Sequence, residues 1–156
     1  MTSKAEFNAE EWSLVLAAPP IAGLRVVTAD RGGTIRESLS MAQAYGDARK
    51  ERGASELLDQ IVADKPAMDP GEFKTPDDVK QAGMERIREA VALVDSKAST
   101  EEAEDYKRFV LDLAERVARA HKEGGFLGVG GQEVSDSERA ALDEIAAVLG
   151  IDPTAS

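Results

Sequence analysis

Carboxylates beside glycine turns are the residues of this sequence whose types and spacing bear on chemistry. Asp30 precedes Gly32 and Gly33 and is followed by Glu37; in the second half, Glu133, Asp136 and Glu138 follow the glycine-rich run 124–131. Hard cations such as Ca²⁺ or Mg²⁺ take several oxygen ligands on a pre-shaped turn, and a glycine turn between carboxylates offers these together with free carbonyls. Neither segment fits an EF-hand, because counting from the glycine and aliphatic positions puts Leu39 where the bidentate glutamate belongs. The competing role is structural: Glu37 and Glu138 stand third after Thr34 and Ser135, as in a capping box, and Asp136 suits the positive end of a helix.

Other reactive groups point away from catalysis. His121 is the sole histidine and lies beside Lys122 at an expected helix end, where a cationic imidazole interacts favourably with the helix dipole. No Gly-x-Ser-x-Gly element accompanies it, and no cysteine is present to act as nucleophile, thiolate ligand or disulfide partner. The glycine-rich run lacks both the spacing and the following Gly-Lys-Ser/Thr of a phosphate cradle. Its apolar members Phe126, Leu127 and Val129 either tuck under the domain or form a contact site for a partner. The run Glu101-Glu102-Ala103-Glu104-Asp105 reads as the solvated first turn of a helix.

The elements that must position these residues are helices. Asn8 with Glu11 forms a capping box ahead of Trp12, Val15 and Leu16, and Pro19-Pro20 predicts a kink or restart, with a second segment carrying Ile21, Leu24 and Val27 to about Asp30. Thr34 opens a helix to about Lys50, with Ile35, Leu39 and Ala42 on one face, and 55–63 is a shorter helix with Leu57, Leu58 and Ile61 inward. After a linker at 64–74, Thr75-Pro76-Asp77-Asp78 starts a helix whose stripe is Met84, Ile87, Val91 and Val94. Ser99 with Glu102 starts the next, where Tyr106, Phe109, Val110, Leu113 and Val117 keep the period to about Lys122. Ser135 starts the last, with Leu142, Ile145, Ala146 and Leu149 inward, Gly150 as its C-cap and Pro153 beyond. No alternating strand pattern of useful length occurs. The expectation is therefore an all-α bundle of about six helices in one domain over 1–156, with similar halves at about 8–63 and 75–150.

The segments Ala29-Asp30-Arg31-Gly32-Gly33-Thr34-Ile35-Arg36-Glu37 and Glu133-Val134-Ser135-Asp136-Ser137-Glu138-Arg139-Ala140-Ala141-Leu142 resemble the turn and helix start of the TerB-like family of tellurite-resistance proteins. The second is the closer match, although His121 stands where the family's turn aspartate falls and the glycine-rich run is an insertion. The resemblance implies a compact helical bundle, a non-enzymatic stress-associated role and divalent-cation binding on acidic turns.

Composition bounds the partners. The chain has 156 residues, 42% of them hydrophobic, enough for one core. No stretch approaches the roughly 18 consecutive apolar residues of a membrane span, and the first residues lack a basic region leading into an apolar run, so a cytoplasmic chain is expected. A formal charge of −11, from 30 acidic and 19 basic residues, repels nucleic-acid phosphates and suits cations or a basic protein surface. Two functions follow as expectations: a stress-associated domain holding Ca²⁺ or Mg²⁺ on the turn carboxylates, or a metal-free interaction scaffold using the apolar loop and an acidic surface.

Overall fold

The computed structural model describes residues 4–29, 35–50, 56–64, 75–124 and 136–151, with side chains described in these ranges except at 4, 27–29, 35–42, 76, 119–124 and 136–137. The architecture is all-α. A 3₁₀ turn, Lys4–Glu6, precedes α1 (Ala9–Ala29), α2 (Ile35–Lys50) and α3 (Glu56–Ala63). Helix α4 runs as Pro76–Asp78, a π-helical stretch Val79–Gly83, and Met84–Lys97; α5 (Thr100–Gly124) and α6 (Asp136–Leu149) follow. No strand occurs, and no helix is long and apolar enough to cross a membrane, among the described residues.

Helix α1 is the centre of the bundle, packed along α4 and α5 and also against α6. Every residue from Val15 to Gly23 is buried, as expected of a helix apolar on all sides. One hydrophobic cluster draws on all six helices: it includes Ile21 of α1, Tyr45 of α2, Ile61 of α3, Ile87 of α4, Leu113 of α5 and Ile145 of α6. The amphipathic stripes read from spacing lie in it, Met84, Ile87, Val91 and Val94 on α4 and Tyr106, Phe109, Val110, Leu113 and Val117 on α5.

The helix does not restart at Pro19-Pro20: α1 is one helix of 21 residues with both prolines inside it. Proline at 19 has no N–H to give the carbonyl of Val15, four residues back. That carbonyl accepts a hydrogen bond from the Tyr106 hydroxyl of α5 instead, at 2.8 Å and buried. A tertiary donor thus replaces the missing helical one, in a stretch buried from Val15 to Gly23.

Several helix ends follow the sequence closely. Asn8 and Glu11 form the expected box, Glu11 N–H donating to Asn8 Oδ1 at 2.8 Å and Asn8 N–H to Glu11 Oε1 at 2.9 Å. Thr75 and Asp78 do the same, with Asp78 N–H on Thr75 Oγ1 at 3.1 Å and Thr75 N–H on Asp78 Oδ2 at 3.3 Å. The π-helical stretch in α4 was not expected. Its wider turn brings Val79, Gly83 and Met84 to the same side, and all three are buried. At the end of α6, Ile151 N–H donates to Ala146 O at 2.9 Å and Gly150 N–H to Ala147 O at 3.2 Å, a Schellman motif with Gly150 at φ 76°. A Cβ at Gly150 meets no neighbouring atom, so only backbone strain opposes it. Gly150→Ala is therefore expected to destabilise by roughly 1 kcal/mol in a denaturant melt, without changing the slope of the transition.

Candidate interaction groove

A cleft of about 280 Å³ lies between α2, α3 and α5, lined by Ala44, Asp47, Ala48, Leu58, Asp59, Asp105, Arg108, Phe109, Asp112 and Arg116. Helical spacing explains the convergence. Residues 44, 47 and 48 share one face of α2, and 105, 108, 109, 112 and 116 share one face of α5. Helix α3 is held across them at both ends. At its start, Glu102 Oε2 of α5 accepts the Leu57 N–H at 3.1 Å. Near its end, Arg49 Nε of α2 donates to Val62 O at 2.6 Å.

The groove has an apolar floor and a charged rim. Phe109 is buried and meets Tyr45 edge to face, with ring centroids 5.3 Å apart. On the rim, Arg116 joins α5 to α2, with Nη1 2.7 Å from Asp47 Oδ2 and Nε 2.9 Å from Asp112 Oδ2. The hydrogen bond from Arg116 holds the Asp47 carboxyl below its ordinary value, and the same bond raises the guanidinium. A carboxyl lowered on folding stabilises the fold above its unfolded pKa and loses that contribution as pH falls through the folded value, so this tether persists at neutral pH and weakens in acid, below pH 3.8.

Beside Phe109, the Tyr45 hydroxyl is buried without a hydrogen-bond partner among the described residues. Burial pushes its pKa above the ordinary tyrosine range, with Arg49 acting weakly in the opposite direction. An unsatisfied buried hydroxyl is a liability, so Tyr45→Phe is expected to raise stability by about 1 kcal/mol, read as a higher midpoint in denaturant.

The turn carboxylates singled out by sequence are placed only in part. Asp30 and Glu133 lie outside the described residues, as do Phe126, Leu127, Val129, the linker from residue 65 to 74, and the cap residues Thr34 and Ser135. Glu37 is on α2, Asp136 is the first residue of α6, and His121 is in the last turn of α5; their side chains are outside the description. Glu138 is described: it is 2% exposed, packed into the bundle from the first turn of α6, and not free. Among the described residues, no group of three or more His, Asp or Glu side chains is placed to hold a metal ion.

The sequence named Leu58 and Phe109 as inward apolar residues and Asp105 in a solvated run, but not the groove they line. The available signal was a polar edge beside the apolar stripe of α5, with Asp105, Arg108, Asp112 and Arg116 following the same period as Phe109. The run 101–105 also departs from a wholly solvated turn: Glu101 and Glu104 are exposed, Asp105 is half-buried, and Glu102 is buried at 8% exposure because it caps α3. No protein-family model matches the chain, and comparisons with curated proteins and with solved structures find no significant match.

Proposed function

We propose that the chain is a non-enzymatic interaction domain whose groove between α2, α3 and α5 receives a basic segment of a partner protein. The observation that carries this reading is the composition of the groove: four aspartates against two arginines around an apolar floor, on a chain of net charge −11. Long-range attraction brings a basic partner to such a surface, and the apolar floor retains it after charge has steered the encounter. The test is a titration of the ¹⁵N-labelled chain with blocked peptides rich in Lys, Arg and Leu. Amide shifts confined to the groove helices, weakening as salt is raised, support the reading; no groove shifts at low salt remove it.

A second reading is a TerB-like, stress-associated domain holding Ca²⁺ or Mg²⁺ through Asp30, Glu37, Glu133, Asp136 and Glu138. What favours it is that Ile35–Lys50 and Asp136–Leu149 are helical, as the TerB-like pattern requires after its turns. Calorimetric titration of chelator-treated protein tests it. Saturable heat that disappears in Asp30→Asn/Glu37→Gln or in Glu133→Gln/Asp136→Asn/Glu138→Gln supports it, and absence of heat with either cation removes it.

A further inference from the structure

We infer that the groove takes one arginine side chain from an exposed segment of its partner, with the aliphatic stem against Ala44, Ala48 and Leu58 and the guanidinium at Asp105. The inference rests on the reading of the groove as an interaction site and names the group recognised there.

Size comes first. A cleft of about 280 Å³ is at or below the lower limit of small-molecule and cofactor sites and suits a single large anchor side chain. Surface chemistry comes next. The small residues Ala44 and Ala48 leave the depression, and Leu58 and Phe109 give it apolar lining, while carboxylates stand at the rim. Arginine has this same division, an apolar stem and a charged planar head.

The groove already handles one guanidinium. Arg116 lies between Asp47 and Asp112, with contacts of 2.7 and 2.9 Å to the two carboxylates. Asp105, two turns before Asp112 on the same face of α5, makes no ion pair among the described residues and is half-buried. Half-burial favours a weakly hydrated planar cation over the strongly hydrated ammonium of lysine. The bond from Leu57 to Glu102 holds the start of α3 one turn before Asp105 on α5, and the next residue, Leu58, lines the groove.

Arg108 sharpens the inference. It lies three residues after Asp105 on the rim, exposed and also without an ion pair among the described residues. Its charge opposes a second cation, which limits the site to one, and it weakens the hold on the first. Removing it should therefore tighten binding.

The experiment is a ¹⁵N amide titration of the whole chain with three blocked peptides, Gly-Leu-Arg-Leu-Ala-Gly and its analogues with lysine or norleucine in place of arginine. It is repeated on Asp105→Asn and Arg108→Ala. The expected result is groove shifts for all three, tightest for arginine, with affinity for the arginine peptide about fivefold lower in Asp105→Asn and higher by a similar factor in Arg108→Ala, the order of one exposed charge pair. Groove binding that is equal for the three peptides, or indifferent to both variants, overturns the arginine inference and leaves the interaction site standing. Absence of groove shifts with every peptide overturns both.

Discussion

Glu102→Ala is expected to destabilise the fold by roughly 2–4 kcal/mol. Glu102 serves two helices at once. At the start of α5, its N–H donates to Ser99 Oγ at 3.2 Å, and that hydroxyl donates back to Glu102 Oε1 at 3.2 Å. Its other oxygen accepts the buried Leu57 N–H at the start of α3, 3.1 Å away and 45 residues distant in sequence. Truncation removes a charge-assisted bond and strands a buried donor, and it weakens the positive end of α3, which has only eight residues. For a chain of this length the loss corresponds to a fall in Tm on the order of 10 °C. Trp12, the single tryptophan and 4% exposed, reports the transition by fluorescence. Exchange of the Leu57 amide should accelerate more than exchange in α5. Glu102→Gln, which keeps an acceptor of the same shape, should lose about half as much. Glu101→Ala and Glu104→Ala, both exposed, should change stability by less than about 0.5 kcal/mol. A loss in Glu102→Ala no larger than in these neighbours would show that Glu102 does not cap α3.

This carboxylate also marks how far the sequence could be read. The boxes at Asn8 and Thr75 were legible because each is complete within four residues, so local pattern and final structure ask for the same geometry. Gly150 was legible for the same reason. Ser99 and Glu102 were read correctly as a helix start, but the second oxygen of Glu102 is committed across the bundle, and nothing in the spacing of α5 names Leu57 as its partner. The groove was hidden in the same way. Its rim belongs to three helices, and Asp47 and Asp112 become partners only when α2 and α5 pack and share Arg116. Of the carboxylates that did stand out by their glycine turns, Glu138 is inside the bundle, where helix periodicity puts it on the side of Ala141 and Ile145, both fully buried. Periodicity therefore delivered the helices and much of the core, while contacts between helices determined which charged side chains meet.

The error at Pro19 has the same origin and yields the second large effect. A local rule says that proline breaks the helix, and it omits what a neighbouring helix can supply. Tyr106→Phe removes the donor to the Val15 carbonyl while preserving the ring, so the loss is that of leaving a buried carbonyl unpaired, about 1–3 kcal/mol. Pro19→Ala restores a backbone N–H that can reach the same carbonyl. In that background the hydroxyl is one of two donors, and its removal should be milder by about 1 kcal/mol. The interaction energy from the double-mutant cycle is the measurement, and additivity of the two changes would mean that Tyr106 does not stand in for the missing helical bond. The alkaline limb reads the burial of the same hydroxyl. Burial raises the Tyr106 hydroxyl well above 10.0, with Tyr45 adding to the shift. A group raised on folding contributes its stability in full below the unfolded pKa, and that contribution declines as pH climbs toward the folded value. Wild-type stability should thus fall above pH 10.0, by up to about 1.4 kcal/mol per pH unit for Tyr106 alone, and Tyr106→Phe should flatten that fall. The same buried hydroxyl thus supports a proline in the centre of the bundle through its hydrogen bond and resists ionisation through its burial.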